Sequence, residues 1–284
     1  MTSSQATQKG ILYIVATPIG NLEDITQRAI HVLRSVDCIL AEDTRHSAQL
    51  LNALGIKNKL QSLHAHNEHE KSNDIISGLS NGLSYALISD AGTPLISDPG
   101  YPLVAKARAQ GIQVSPVPGA CALIAALSAA GIPCDSFLFL GFLPAKKQAR
   151  CNKLEELKSA AHTLICYEST HRITECIEDM ITVLGADREI ALAKEITKSY
   201  EHFLVAPVAQ IQQWFLEDAS RSKGEFVLMI PPVAALTAVD DSDALLQVLM
   251  EELPLKQAVS LASKITGKNR NTLYDRALQL KKGD

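Results

Sequence analysis

Between Ile11 and Ala130, five short apolar runs alternate with helical patterns. The runs are Ile11–Ala16, Cys38–Ala41, Leu60–Leu63, Leu83–Ser89 and Ile112–Val117. The helical patterns between and after them are Leu22–Val36, Arg45–Leu54, Glu68–Leu79, Tyr101–Gln110 and Ala120–Ala130. In the first of these, Ile25, Ala29, Val32, Leu33 and Val36 share one face, the spacing of an amphipathic helix. Gly55, Gly111 and Gly131 stand where three of the helices must stop. Strands alternating with helices fold into a mostly parallel α/β sheet, because a parallel neighbour needs a long crossover.

After Ile132–Asp135 the pattern changes. Phe137–Leu140, Thr163–Tyr167, Glu189–Ala193, His202–Val205 and Phe226–Ile230 read as strands. Helices are expected over Thr174–Leu184 and Ala206–Leu216, with a charged helix between the first two strands. Some of these strands follow one another closely enough to pair antiparallel. Past Pro231-Pro232 and an Ala/Thr/Asp linker, helices are expected over Asp243–Glu252, Leu255–Thr266 and Thr272–Leu280. From Pro254 to Lys282 seven Lys and Arg stand against one acid, Asp275. A short basic helix–turn–helix fits that stretch. The expected domains are therefore 10–132, 133–233 and a basic tail over 240–284.

The formal net charge of −4 excludes a uniformly basic nucleic-acid binder but leaves room for local basic patches. The six cysteines form no C-x-x-C, and five lie in apolar surroundings, so a disulfide framework is not expected. Residues 1–9 lack the apolar core of a signal peptide, and Gly119–Pro133 is too short to span a bilayer. The expected location is the cytoplasm, with no membrane association.

Ligand-shaped loops sit at the ends of the strands. Thr17-Pro18-Ile19-Gly20-Asn21 follows the first strand, where a tight turn lets backbone approach a ligand. Ser89 to Gly100, dense in Gly, Pro, Asp and Ser, is longer than a βα turn requires. Pro118-Gly119-Ala120-Cys121-Ala122 puts small residues at a helix start, which also suits close helix–sheet packing. No G-x-G-x-x-G and no G-x-x-x-x-G-K-[ST] occurs, so dinucleotide and P-loop sites lose support. Glu42-Asp43 is a carboxylate pair at a strand end, fit to position a hydroxyl or to cap the next helix. His64, His66 and His69 lack the fourth ligand that a structural zinc site wants; no metal is expected, and the cluster reads as polar surface or RNA-facing.

Taken in order, V-A-T-P-I-G-N-L-E-D-I-T, A-E-D-T-R, S-D-A-G-T-P-L-I-S-D-P-G, P-G-A-C-A, Y-E-S-T-H-R and K-E-I-T-K-S-Y-E resemble the tetrapyrrole-methylase superfamily, and its ribosomal branch most closely. The likeness runs from Gly10 to Pro232, and the basic tail resembles that branch's C-terminal extension. It implies a two-domain α/β fold of the class III S-adenosylmethionine methyltransferases with a helix–turn–helix appended. It further implies S-adenosyl-L-methionine as donor, a homodimer, and 2′-O-methylation of a cytidine in the decoding region of small-subunit (16S) ribosomal RNA. Carried over by motif, the cofactor-binding positions are Pro18, Ile19, Gly20, Asp90, Ala91, Gly92, Thr93, Ile96, Cys121, Ala122, Glu168 and Ile196. Porphyrin-modifying members have Gly-Pro-Gly and Gly-Gly-Asp where this chain has Pro-Ile-Gly and Ala-Gly-Thr, which favours the ribosomal branch. Thr170 stands where ribosomal members usually have proline.

For the proton of the attacking hydroxyl, Asp90, Asp43 and Lys194 are the candidates on the expected cleft edge, Asp90 first. A carboxylate is a poor base for a ribose hydroxyl unless its pKa is raised. Arg45, His66, Lys146, Lys147, Arg150, Arg172, Lys268 and Arg270 are the candidate RNA contacts. Two other functions fit the motifs less closely: methylation of a corrinoid, porphyrin or other small acceptor, and a non-catalytic ribosome assembly factor.

Overall fold

The computed structural model describes residues 9–65, 67–233 and 242–281. The first sheet is built from β1 (Ile11–Val15), β2 (Cys38–Ala41), β3 (Leu60–Ser62), β4 (Tyr85–Ile88) and β5 (Gln113–Val117). All its pairings are parallel, in the order β3-β2-β4-β1-β5. Helices α1 (Gln27–Ser35), α2 (Thr44–Ala53), α3 (Glu68–Ser80), α4 (Tyr101–Ala109) and α5 (Ala122–Ala129) follow its strands. Side-chain alternation sends Cys38 and Leu40 to one apolar cluster and Ile39 and Ala41 to another, so both faces are covered.

The sheet order fixes where a ligand would sit. β1 and β4 are neighbours, yet β1 connects toward β2 and β4 connects across β1 to β5. Such a switch point opens a crevice beyond the carboxyl ends of the two strands. The loops there are 16–21 and 89–100.

The second sheet contains β6 (Phe137–Phe142), β7 (Thr163–Ser169), β8 (Glu189–Lys194), β9 (His202–Pro207) and β10 (Glu225–Ile230), in the order β6-β7-β10-β8-β9. Only β6 with β7 runs parallel; the other pairings are antiparallel. Helices α6 (Lys147–Leu157), α7 (Ile173–Leu184) and α8 (Val208–Glu217) accompany it. One face, with Cys166, Ile190, Leu192 and Leu228, packs on residues of these helices. The other, with Ile165, Ala191, Ala193 and Val227, receives α5 through Leu123, Ala126 and Leu127. The alanines on both sides let helix and sheet approach closely, and the two sheets form one compact unit ending at Pro232.

One element is revised. The pattern expected as a single helix from Leu22 is a 3-10 turn at Leu22–Asp24 followed by α1. Asn21 caps the turn through Glu23 N, and Thr26 starts a new helix by accepting from Ala29 N at 3.1 Å. Two caps five residues apart make two elements.

The C-terminal unit contains α9 (Ser242–Glu252), α10 (Leu255–Thr266) and α11 (Arg270–Leu280). Gly267, at φ +70°, ends α10 in the left-handed conformation, and the Asn269 side chain caps α11. Leu246, Val259, Ala262, Leu273 and Ala277 form its core, and Arg276 pairs with Asp243.

Candidate functional site

The loops at the switch point are stitched together by their own polar groups. Thr17 and Gly92 exchange backbone hydrogen bonds, N–H to O, of 2.9 and 3.1 Å. The Thr17 hydroxyl donates to Ser89 O, and the Thr93 hydroxyl donates to Ala120 O at 3.0 Å. Gly92 has φ +79°, and a Cβ there would stand 3.2 Å from the Ile19 side chain. A side chain at Gly92 would be strained and would crowd the junction of these loops.

Beyond them lies a cavity of about 480 Å³, within the size range of small-ligand sites. Loops after β1, β4 and β5 supply Ile19, Ala91, Gly92, Thr93, Ile96, Cys121 and Ala122. The second sheet supplies Tyr167, Glu168, Ser169, Ile196, Phe226 and Val227, so both sheets build one wall. Tyr167 is set edge-on against Phe139 and Phe142, with ring centroids 4.9 and 5.8 Å apart.

Glu42, Asp90 and Asp98 also line the cavity. Burial, reinforced by nearby Asp90, raises the Glu42 pKa, while His64 opposes that. Burial pushes the Asp98 carboxyl up to about 6; a hydrogen bond with Ser89 opposes this, and Glu42 and Asp90 add to it. Asp90 accepts a hydrogen bond from Asp43 N at 3.2 Å. Glu168 is different. Its buried carboxylate accepts from Ser169 N at 2.8 Å and meets Arg172 at 3.2 Å. Burial raises its pKa against those contacts. It shapes the wall without presenting a free charge.

Of the expected cofactor positions, Ile19, Asp90, Ala91, Gly92, Thr93, Ile96, Cys121, Ala122, Glu168 and Ile196 line this cavity, and Pro18 and Gly20 do not. Gly20 serves contact between the two halves, since a Cβ there would come within 2.4 Å of Lys198 Cγ.

Two expected proton acceptors are revised. Asp43 is the N-cap of α2: it accepts from Arg45 N at 2.8 Å and pairs with the Arg45 side chain, which hold its carboxyl down to about 2. A carboxylate so stabilised is a weaker base than an ordinary one. Lys194 falls on the same side of β8 as Ile190 and Leu192, opposite Ala191 and Ala193, and does not line the cavity.

Two RNA-contact expectations also change. Arg150 is 1% exposed, on the inner face of α6 with Leu154. Its Nε donates to Asp179 at 2.7 Å, and its Nη1 donates to Pro144 O and Ala145 O. Arg172 donates to Leu143 O at 2.5 Å besides meeting Glu168. Both guanidiniums hold the β6–α6 turn from inside. Lys146, Lys147, Arg45, Lys268 and Arg270 are exposed, as an RNA contact requires. His66 lies outside the described residues.

Sequence reasoning missed Asp98, Ser97, Tyr167 and Phe142 as wall residues, and took Glu42 only as half of a pair. Asp98 and Tyr167 stood inside motifs already singled out. Among the described residues no group of His, Cys, Asp and Glu has a metal-holding arrangement. None of their helices is long and apolar enough to cross a membrane.

Fold and site together define a class: an α/β protein with a nucleotide-sized cavity between two five-stranded sheets, at the switch point of the parallel one. Residues 11–212 match the family profile of Tetrapyrrole (Corrin/Porphyrin) Methylases, and residues 237–281 match that of the RsmI C-terminal HTH domain. The chain is 51% identical over 273 residues to Ribosomal RNA small subunit methyltransferase I of Pasteurella multocida, covering 95% of this chain and 97% of that protein. It is 50% identical over 278 residues to the protein of the same name from Escherichia coli O157:H7, covering 97% of each. Among solved structures, a diphthine synthase superposes with a TM-score of 0.62 at 13% identity, over 78% of this chain and 90% of that one, which shows the shared fold. The chain belongs to the tetrapyrrole methylases and, within them, to the ribosomal RNA small subunit methyltransferase I family. It is an S-adenosylmethionine-dependent methyltransferase.

The cavity suits that donor. A side chain at Gly92 would crowd the junction of the loops, the walls are largely apolar, and Glu42, Asp90 and Asp98 offer carboxylates with which a cationic sulfur or a hydroxylated ribose could pair.

Proposed function

We propose that this protein methylates the ribose 2′-oxygen of a cytidine in the decoding region of small-subunit ribosomal RNA, acting in the cytoplasm as a homodimer. The observation that carries the reading is the cavity itself, walled by both sheets and bearing Asp98, whose carboxyl burial pushes up to about 6. The names of the relatives support the RNA substrate.

S-adenosylmethionine, when bound, supplies a methyl group on a positively charged sulfur. Ile19, Gly92, Thr93, Ile96, Cys121, Ala122 and Ile196 would hold it. What remains for the chain is to align a hydroxyl with that methyl and to take the hydroxyl proton. Alignment alone is worth up to about 7–11 kcal/mol. A general base works best with a pKa near the operating pH, which selects Asp98 over Asp43. Its carboxylate accepts the 2′-hydroxyl proton as the oxygen attacks. Asp90, the proton acceptor expected first from the sequence, is anchored by Asp43 N and in this reading orients the ribose instead.

Arg45, Lys146 and Lys147, together with Lys268 and Arg270 of the C-terminal unit, would meet RNA phosphates. For the homodimer, the edge strand β6 exposes Phe137, Leu138 and Phe142, an unusual load of apolar surface for an unpaired edge. The test is transfer of labelled methyl to purified small subunits from cells lacking this protein, with 2′-O-methyl groups mapped on the RNA. One new methylated cytidine in the decoding region supports the reading. Transfer to a corrinoid or porphyrin instead, or saturable RNA binding with no donor site, overturns it.

A further inference from the structure

Among the described residues, four that are not glycine have a left-handed backbone: Leu95 (φ +72°), Ser97 (+72°), Glu195 (+49°) and Thr197 (+65°). They form two pairs, each two residues apart. Between the members of each pair stands one isoleucine, Ile96 or Ile196, and both isoleucines line the cavity. One triplet follows β4 of the first sheet; the other follows β8 of the second.

A left-handed backbone is costly for any residue with a Cβ, and for a β-branched residue such as Thr197 it is an outlier. It persists only where its surroundings enforce it. They do so here. Glu195 N donates to Glu225 O at 2.9 Å, and its carboxylate accepts from Glu225 N at 2.9 Å and from Lys198 at 2.8 Å. Thr197 N donates to the Glu201 carboxylate at 2.7 Å. Gly224 lies so close that a Cβ on it would stand 2.6 Å from Glu195 Cγ. In the other triplet, Ile96 N donates to Thr93 O, while Leu95 packs into the first sheet's core.

A turn alone would not need this arrangement. Glycine takes the left-handed conformation without penalty, and Gly92 and Gly100 do so in the same loop as Leu95 and Ser97. What glycine cannot give is a narrow conformational well. We propose that Leu95, Ser97, Glu195 and Thr197 are positioning residues: their constrained backbones hold Ile96 and Ile196 as two fixed apolar contacts, one from each sheet, for the methyl donor. This rests on the donor-binding reading of the cavity. The isoleucines are thereby ordered before the donor arrives, so binding does not have to order them.

The test is a pair of substitutions in the full-length chain, read by calorimetric titration of S-adenosylmethionine and by thermal unfolding without ligand. Ser97→Pro forbids a positive φ. Ser97→Asn removes the same hydroxyl but tolerates the left-handed backbone. The expected result is donor binding about tenfold weaker in Ser97→Pro than in Ser97→Asn, equivalent to ~1.4 kcal/mol, because both lose the hydroxyl at the cavity wall and only proline loses the backbone conformation. If the proline chain does not fold, Ser97→Val, which holds this backbone poorly, replaces it with the same expectation. Equal affinity in both variants and wild type overturns the inference, as does equal weakening in both. A wild-type chain that binds no donor overturns the donor site itself, and this inference with it.

Discussion

The hydroxyl of Tyr167, near the end of β7, accepts a hydrogen bond of 3.1 Å from the backbone N–H of Leu123, in the first turn of α5. Cys121, the N-cap of α5, makes no side-chain cap of its own. A residue from the second sheet therefore satisfies an amide that the helix cannot satisfy internally, and does so beside the cavity. Burial drives the Tyr167 pKa up to about 12, so the phenol stays neutral at physiological pH.

Tyr167→Phe should keep the edge-on ring packing and remove only this cap. The expected cost is about 1 kcal/mol in urea unfolding, the usual worth of a cap or of one buried hydrogen bond. A cost below a few tenths would show that water replaces the phenol at Leu123 N.

Asp98 links pH to both rate and stability. Its native carboxyl keeps its proton up to about pH 6, whereas an unfolded aspartate releases it near the ordinary value of 3.8. Between those values the native state binds more protons than the unfolded one. Stability therefore falls as pH rises through that window. Asp98→Asn should raise the unfolding midpoint at neutral pH, and the gain should shrink below the unfolded pKa. In single-turnover methylation the wild-type rate should climb as pH rises through about 6, and the variant should be slower by roughly 10²–10⁴-fold while binding the donor normally. A variant with an unchanged rate would remove Asp98 from proton transfer.

Arg150 and Asp179 are both almost fully buried, and removing Asp179 leaves the guanidinium with only the exposed Glu175 carboxylate, 3.6 Å away, as an ionic partner. Asp179→Ala should destabilise the protein by about 3–5 kcal/mol in chemical denaturation. Asp179→Asn, which keeps an acceptor for Arg150 Nε, should cost less. A small effect for alanine would mean that Glu175 and the carbonyls of Pro144 and Ala145 together suffice to hold the guanidinium.

The order of strands and helices was readable because apolar periodicity and Gly stops agree in almost every segment; the break at Thr26, made by a side-chain cap, the 3-10 turn at Ala219–Ser222 and the start of α8 after Pro207 escaped the pattern. The cavity loops were readable for a related reason: small residues at strand ends are visible in one dimension. Functional side chains were less so. Arg150 looks like its neighbours Lys146, Lys147 and Lys153 in sequence, and only its helical register with Leu154 buries it. Lys194 and Ile196 lie two residues apart, yet the sheet face and the strained turn between them send one away from the cavity and the other into it. Asp43 and Asp98 are both aspartates in recognisable motifs. Which of them can take a proton depends on Arg45 beside one and on burial around the other.

Lys146 and Lys147 stand at the N-terminus of α6, on the turn that Arg150 and Arg172 hold from inside. Lys147 is 73% exposed and only 3.6 Å from the buried Asp179 carboxylate, so its ammonium is tethered near the surface without being consumed. A preformed turn carrying two cations suits RNA phosphates. Each phosphate that a lysine neutralises contributes about 0.7–0.9 to the slope of log affinity against log salt. Replacing both lysines by alanine should therefore flatten the slope by roughly 1–2 and weaken RNA binding at low salt. Donor affinity should stay where it is, because neither ammonium lines the cavity. A chain ending at residue 232 should show a separate reduction if Lys268 and Arg270 touch phosphates too. Slopes identical in wild type, the double variant and the shortened chain would place the RNA on another face of the protein.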